Sequence, residues 1–308
     1  MIKKDPPVAL TDTLTMLGTN EYPIYLVNGG AEGAIFEGGV GAMGPILETQ
    51  LAQLEITGDF VKQIFVTHAH PDHVMAVPAL TKMFPEATVC ASKPAAQVMQ
   101  VDKAISFFCK ADQMITDALQ KAGSIGPDVA PQPLEEMRIP VDTYHADGDL
   151  VVIGDAEYDV LFTPGHSDCS LSFYNPAEKV LIISDATGYF VPDDFWWPNY
   201  FSHYGEYVDS INRLVSLETE VLCLSHNAAI VGAADVEAYF KGALEATEAY
   251  HARIIADVKA GKSVREIAGA LGQEVFARTQ LMPVEFFQKN ASLLVKQSME
   301  YEEIAPAE

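Results

Sequence analysis

One run of seven residues constrains this chain more than any bulk property: Thr67-His68-Ala69-His70-Pro71-Asp72-His73. It follows Ile64-Phe65-Val66, a short and wholly apolar stretch that reads as a buried strand. Imidazole nitrogens and carboxylate oxygens suit zinc, iron or manganese, and one short loop can aim alternate side chains at two adjacent ions. A lone histidine after a strand is more often a turn or hydrogen-bonding residue. Three histidines and an aspartate within six positions are a different matter, because chains rarely cluster those residue types. Three further candidates each follow a strand-like run: His166 in Thr163-Pro164-Gly165-His166-Ser167, Asp185 in Ile183-Ser184-Asp185-Ala186, and His226 in Leu224-Ser225-His226-Asn227. Strand ends on one edge of a sheet converge, and layered α/β domains place their sites there. His145 and His251 lie outside this set and read as structural or exposed.

The rest of the chain supports a layered α/β domain. Ile24–Val27 and Ala34–Phe36 read as a hairpin, residues 44–56 as a helix, Val74 to Phe84 as a second helix, and Ala87–Cys90 as the next strand. Helical periodicity runs from about 94 to 122 and ends in the Gly/Pro-rich stretch 123–133. Strand signals follow at Val141–Tyr144, Leu150–Ile153, Tyr158–Phe162, Leu171–Tyr174 and Val180–Ile183, then a helix near 204–217 and a last strand, Val221–Leu224. From about 233 the pattern is helical in at least three segments, broken near Gly261 and Pro283.

At 308 residues the chain can bury a sizeable core. Its net charge of −24 repels phosphate backbones, which argues against a nucleic-acid partner and against a nuclease. Cys90, Cys109, Cys169 and Cys223 show no CxxC spacing, which suggests free thiols in a reducing compartment. No signal peptide is read behind Met1-Ile2-Lys3-Lys4, and no apolar stretch reaches the roughly 18 residues of a membrane span. The expectation is a cytoplasmic protein without a membrane partner.

The succession HAHPDH, PGHS, SDA and a strand-ending histidine resembles the metallo-β-lactamase superfamily over roughly residues 8–232. That resemblance implies an αββα sandwich with the site at one edge between two sheets, here followed by a helical C-terminal extension. It divides the chain into a catalytic domain, 1–232, and a helical cap, 233–308. It also implies two divalent transition-metal ions (zinc or iron, with manganese as a third option). His68, His70 and His166 would bind the first, Asp72, His73 and His226 the second, with Asp185 bridging. Ser225 and Asn227 stand where many members have glycines on both sides of the last histidine. A shared water of lowered pKa would then supply the attacking hydroxide, steered by Asp72.

Within the superfamily, the missing leader and long helical tail disfavour a secreted β-lactamase. His70 stands where a flavodiiron protein would carry glutamate, and no flavin domain is visible. A thioesterase or related acyl hydrolase remains, with lactonase and phosphodiesterase as alternatives. The architecture resembles glyoxalase II and, more closely, the quinolone-signal response proteins, which are 2-aminobenzoylacetyl-CoA thioesterases associated with a di-iron centre. Shared features are Gly165-His166-Ser167-Asp168, Ser184-Asp185-Ala186-Thr187-Gly188, a bulky loop before the 204–217 helix, and the helical tail. The loop 189–201 holds both tryptophans, so Tyr189, Phe195, Trp196, Trp197 and His203 just beyond it are candidate contacts to a small acyl substrate. Packing of the cap is the competing reading for these rings. Lys259, Lys262, Arg265, Arg278, Lys289 and Lys296 could meet a CoA phosphate, although solvated helix faces account for them more simply. The helical segments are also candidate surfaces for a homodimer or protein partner, and a metal-containing regulatory protein with little turnover is the reading from another class.

Overall fold

The computed structural model describes residues 1–192 and 195–305. The chain divides into two compact units, each discontinuous in sequence. The first is Met1–Phe162, Cys169–Ser184 and Glu218–Ala233; the second is Thr163–Asp168, Asp185–Leu217 and the chain from Ala234 onward.

The first unit is built on two mixed sheets. One runs in the spatial order β2 (Val8–Ala9), β3 (Leu14–Gly18), β4 (Pro23–Asn28), β5 (Gly33–Phe36), β6 (Val61–Phe65), β7 (Thr88–Ser92) and β8 (Thr143–His145). Pairing is antiparallel as far as β5 and parallel beyond it. The other runs β1 (Ile2–Lys3), β16 (Ala229–Val231), β15 (Val221–Leu224), β12 (Val180–Ser184), β11 (Leu171–Asn175), β10 (Ala156–Phe162) and β9 (Leu150–Ile153). Here only β12–β15 is parallel. Helices α1 (Met43–Gln53), α2 (Pro71–Val74), α3 (Val77–Met83), α4 (Lys93–Met99) and α5 (Asp102–Ala122) complete the unit.

The inner faces of both sheets form one core. Phe36 stacks on Phe65 at 4.5 Å between ring centroids, and Phe173 of the opposite sheet meets them edge-on at 4.9 and 5.2 Å. Such ring pairs add about 0.5–1.5 kcal/mol each beyond their burial. β9 and β10 alternate buried and exposed residues, as half-buried strands do, whereas β11 and β12 are buried throughout. This αβ/β sandwich, with a helical extension after it, is the architecture expected from the motifs.

The second unit holds a short hairpin, β13 (Tyr189–Val191) with β14 (Phe195–Trp197), and helices α6 (Tyr204–Val215), α7 (Ala233–Lys259), α8 (Val264–Thr279) and α9 (Val284–Tyr301). The breaks near Gly261 and Pro283 occur as read. Gly261 is left-handed, Ser263 caps α8 in a reciprocal box with Glu266, and Pro283 caps α9.

Some elements differ from the sequence pattern. The helical run 94–122 is two helices, because Val101 is extended and Asp102 opens a new first turn. Val221–Leu224 is followed by one more strand, β16, and the bulky loop at 189–197 is the hairpin. Asp193 and Asp194 of that loop lie outside the described residues. Among the described residues no helix is long and apolar enough to cross a membrane.

Candidate metal centre

Two groups of metal-ligating residue types come together: His68, His70, His166 and Asp185, and Asp72, His73 and His226. Within each group one donor atom per residue lies within 4.8 Å of the others. All seven candidate ligands read from the sequence are in one group or the other.

The local chain explains each position. β6 ends at Phe65 and delivers His68 and His70 in the connection to α2, where His70 is the N-cap and Pro71 opens the first turn. Asp72 and His73 therefore start a helix, and the His68 and His73 rings lie 4.0 Å apart between centroids, tilted by 44°. Gly165 has φ +113°, and a Cβ there would fall 2.3 Å from the Tyr207 backbone nitrogen. Only glycine permits that approach just before His166. Asp185 follows β12 at a register shift, and Ser184 before it is left-handed at φ 49°. Asn227 takes φ 66°, a conformation asparagine tolerates better than most residues. The expected departure from glycine beside His226 is thereby accommodated.

A second set of residues orients the rings. His73 Nδ1 donates to Glu37 Oε2 at 2.8 Å, His166 Nδ1 to the Asn199 carbonyl at 2.8 Å, and His226 Nδ1 to the Glu21 carbonyl at 2.9 Å. His68 Nδ1 lies 3.2 Å from Ser184 Oγ, which is 2.8 Å from Thr67 Oγ1; Thr67 in turn donates to Glu37 Oε1 at 3.0 Å. If both rings carry their proton on Nδ1, one buried chain runs from His68 through Ser184 and Thr67 to the Glu37 carboxylate and on to His73.

This pattern is a test of fit for a metal. A ligating histidine normally donates its other N–H to a carbonyl or carboxylate, which fixes the tautomer and leaves the free nitrogen toward the ion. Here Nδ1 of His73, His166 and His226 is committed in that way, and Nε2 is the donor left for the cluster. Neighbouring donors on a tetrahedral ion with bonds of roughly 2.0–2.1 Å stand about 3.3 Å apart. His68 Nε2 and His70 Nδ1 are 3.0 Å apart, and His166 Nε2 and Asp185 Oδ2 are 3.3 Å apart. Asp72 Oδ2 is 3.7 Å from Nε2 of both His73 and His226. The residues fit, and the two clusters are consistent with a dinuclear metal centre.

Several contributors escaped the sequence reading. Glu37 is buried and left-handed at φ 78°; an acid beside Gly38-Gly39 after an apolar strand was the available signal. Asn199 and Glu21 act through carbonyls that every residue possesses, so no side-chain signal existed. Asp112 of α5 accepts the Gly41 N–H at 2.7 Å. Burial pushes its carboxyl up to about 6, against the Gly41 hydrogen bond and helped by the charge of Asp72.

The candidate substrate contacts lie in the second unit. Trp197 is buried and meets Tyr250 edge-on at 5.2 Å. Trp196 packs on Phe190 at 5.0 Å and over Gly242, where a Cβ would fall 2.4 Å from the indole. Phe195 is half-buried with the Arg278 guanidinium 5.4 Å above its ring, and Tyr189 is half-buried opposite Trp197 in the hairpin. His203 is exposed and caps α6, accepting the Glu206 N–H at 3.1 Å.

The model of the metallo-beta-lactamase superfamily matches residues 18–226. A curated Aquifex aeolicus (strain VF5) protein, described as uncharacterized, is 31% identical over 133 residues, 43% of this chain and 52% of its own. The chain thus matches about half the length of that relative. Among solved structures, a metallo-beta-lactamase family protein from Thermus thermophilus superposes with a TM-score of 0.64 at 21% identity, covering 96% of this chain and 95% of its own. A metallo-beta-lactamase from Cronobacter sakazakii, a HARLDQ-motif mutant, gives 0.60 at 19% identity over 81% and 98%. A subclass B3 enzyme of Bradyrhizobium japonicum gives 0.59 at 17% identity over 84% and 97%. At these identities the structural likeness speaks for the fold alone.

Proposed function

The chain belongs to the metallo-β-lactamase superfamily, and from that premise we propose that it is a dinuclear metal-dependent hydrolase of a thioester or related acyl ester. The observation that carries the reading is the commitment of three Nδ1 atoms to fixed acceptors around two converging donor sets. A protein that merely tolerated histidines there would not hold their tautomers.

In this reading residues 1–232 are the catalytic domain and 233–308 the cap. His68, His70 and His166 would hold one ion and Asp72, His73 and His226 the other, with Asp185, which groups with the first set, as the proposed bridging ligand. When bound, two such ions supply an electrophile and a water acidic enough to ionise near neutrality. Zinc, iron and manganese all suit this donor set. Asp72 is the partly exposed member of its group, with about a quarter of its side chain accessible. One carboxylate oxygen lies 3.7 Å from Nε2 of both His73 and His226, which supports a role for Asp72 in steering the nucleophile and carrying its proton to the leaving group. The aromatic hairpin, with Tyr189, Phe195 and Trp196 half-buried, supports an apolar or aromatic acyl group, and His203 beyond it is assigned to the same substrate region. The likeness of motif and tail to the 2-aminobenzoylacetyl-CoA thioesterases and glyoxalase II supports the thioester over a lactone or phosphodiester. The free thiols support a reducing, cytoplasmic setting.

The test is metal analysis paired with a panel of thioester, lactone and phosphodiester substrates. Metal-loaded protein should turn over thioesters fastest, lose activity to background on chelation and recover it with zinc, iron or manganese. Full loading with no turnover of any class would overturn the enzyme reading in favour of a partner-binding protein.

A further inference from the structure

The helical region contains a feature that the metal centre does not use. α8 and α9 approach closely at Gly272, where a Cβ would fall 2.5 Å from the Gln288 backbone nitrogen. One turn earlier α8 carries Ala268 and Gly269, and a Cβ on Gly269 would meet nothing within 4 Å. Ala268 and Gly269, with Val264, floor a groove of about 430 Å³ that Arg265, Gln288, Lys289, Ser292 and Lys296 also line.

The charge of this groove inverts that of the chain. The sequence holds 43 acidic and 19 basic residues, yet among the described lining residues three are basic and none is acidic. Lys289, Ser292 and Lys296 are spaced three and seven apart, which puts them on one face of α9. Arg265 projects from the first turn of α8, the positive end of that helix. Glu266, its acidic neighbour, is turned into the cap, where its Oε2 accepts from the Ser263 backbone N–H at 2.8 Å and hydroxyl at 2.6 Å. Such convergence raises the local concentration of anions despite the overall charge.

We propose that this groove binds the phosphate groups of a phosphorylated small molecule carrying at least two phosphates. Lys289 and Lys296 stand two turns apart, roughly 10 Å along the helix, more than one phosphate spans. Arg265 supplies a bidentate fork from the opposite wall. The Gln288 amide adds a neutral donor, whereas the Ser292 hydroxyl already donates to the Lys289 carbonyl at 2.6 Å, and the Ala268–Gly269 floor admits a flat organic body. The site stands independently of the acyl-hydrolase reading.

The experiment is calorimetric titration of the metal-loaded full chain with adenosine 3′,5′-bisphosphate and with inorganic pyrophosphate. Saturable binding is expected, weakened at least tenfold by Arg265→Glu or Lys296→Glu and about threefold by Arg265→Gln or Lys296→Gln. Lys241→Glu is the control, since Lys241 is an exposed α7 residue paired with Glu245, and its reversal changes net charge equally; it should stay within twofold. Tighter binding of the bisphosphate adds the organic body to recognition, and equal binding assigns it to the phosphates alone. The proposal fails if neither probe saturates, if Lys296→Glu leaves affinity unchanged, which would move the ligand to the metal centre, or if Lys241→Glu weakens binding as much. Arg265 and Lys296 are exposed, and circular dichroism of each variant checks the fold.

Discussion

The two units hold their functional side chains by different physics. In the first, His68 and His73 are oriented by buried polar atoms: Ser184, Thr67 and both oxygens of Glu37. In the second, the surroundings of His166 are aromatic. Phe201 lies 5.2 Å from its ring, and the Tyr207 hydroxyl accepts the N–H of Asn199, whose carbonyl orients it. Trp196 and Trp197 extend the same packing to Tyr239 and Tyr250. A polar shell is directional, so its loss shows in metal affinity. An aromatic shell works by volume, so its loss shows in stability.

Three substitutions sharpen that contrast. The largest effect is expected of Trp197→Ala, which removes a buried indole and its edge contact with Tyr250. It should cost about 3–5 kcal/mol in denaturant unfolding while metal stoichiometry of the folded protein stays at the native value. Loss of metal at matched fold would erase the distinction between the shells. Next comes Glu37→Ala, which strips His73 Nδ1 and Thr67 Oγ1 of their common acceptor. Metal affinity should fall roughly 10–100-fold, with Glu37→Gln recovering part of it through its amide oxygen. Native affinity in Glu37→Ala, measured by competition with a chelating dye, would show that the chain of hydrogen bonds orients nothing.

The smallest effect is expected of Asp112→Asn. With its folded carboxyl raised to about 6 from an ordinary 3.8, the folded state binds the proton more tightly than the unfolded chain. Its contribution is therefore full below pH 4 and is lost as pH rises through 6. Asparagine keeps an oxygen for the Gly41 N–H and has no charge to bury, so the variant should gain on the order of 1 kcal/mol at pH 7. Urea titrations at pH 4, 5, 6 and 7 would show a flatter profile than the native protein. An unchanged slope would remove Asp112 from the acidic titration.

The legible parts of the site were those written in side-chain type. Three histidines and an aspartate directly after an apolar strand can be read because imidazole and carboxylate are scarce and costly in buried positions unless something pairs with them. The βαβ rhythm and the breaks at Gly261 and Pro283 were legible for a related reason: glycine and proline restrict backbone geometry wherever they occur. Where the pattern misled, packing had overruled local preference. The aromatic run at 189–197 has strand-forming residues but reads as a loop around Pro192, until Tyr189 finds Trp197 across a hairpin. His203 keeps its place among the substrate candidates, and its Nδ1 also caps α6, a role that depends on where a helix begins.

By itself the sequence determined the candidate ligand set, the apolar runs that carry it and the helical character of the tail, because these follow from residue chemistry and periodicity along one dimension. Only the tertiary structure decided that Glu37 meets His73 across 36 positions, that the Asn199 and Glu21 carbonyls orient two rings, and that Arg265 and Lys296 face one groove. Those relations join backbone atoms common to every residue, or side chains distant in the chain, and only packing brings such groups together.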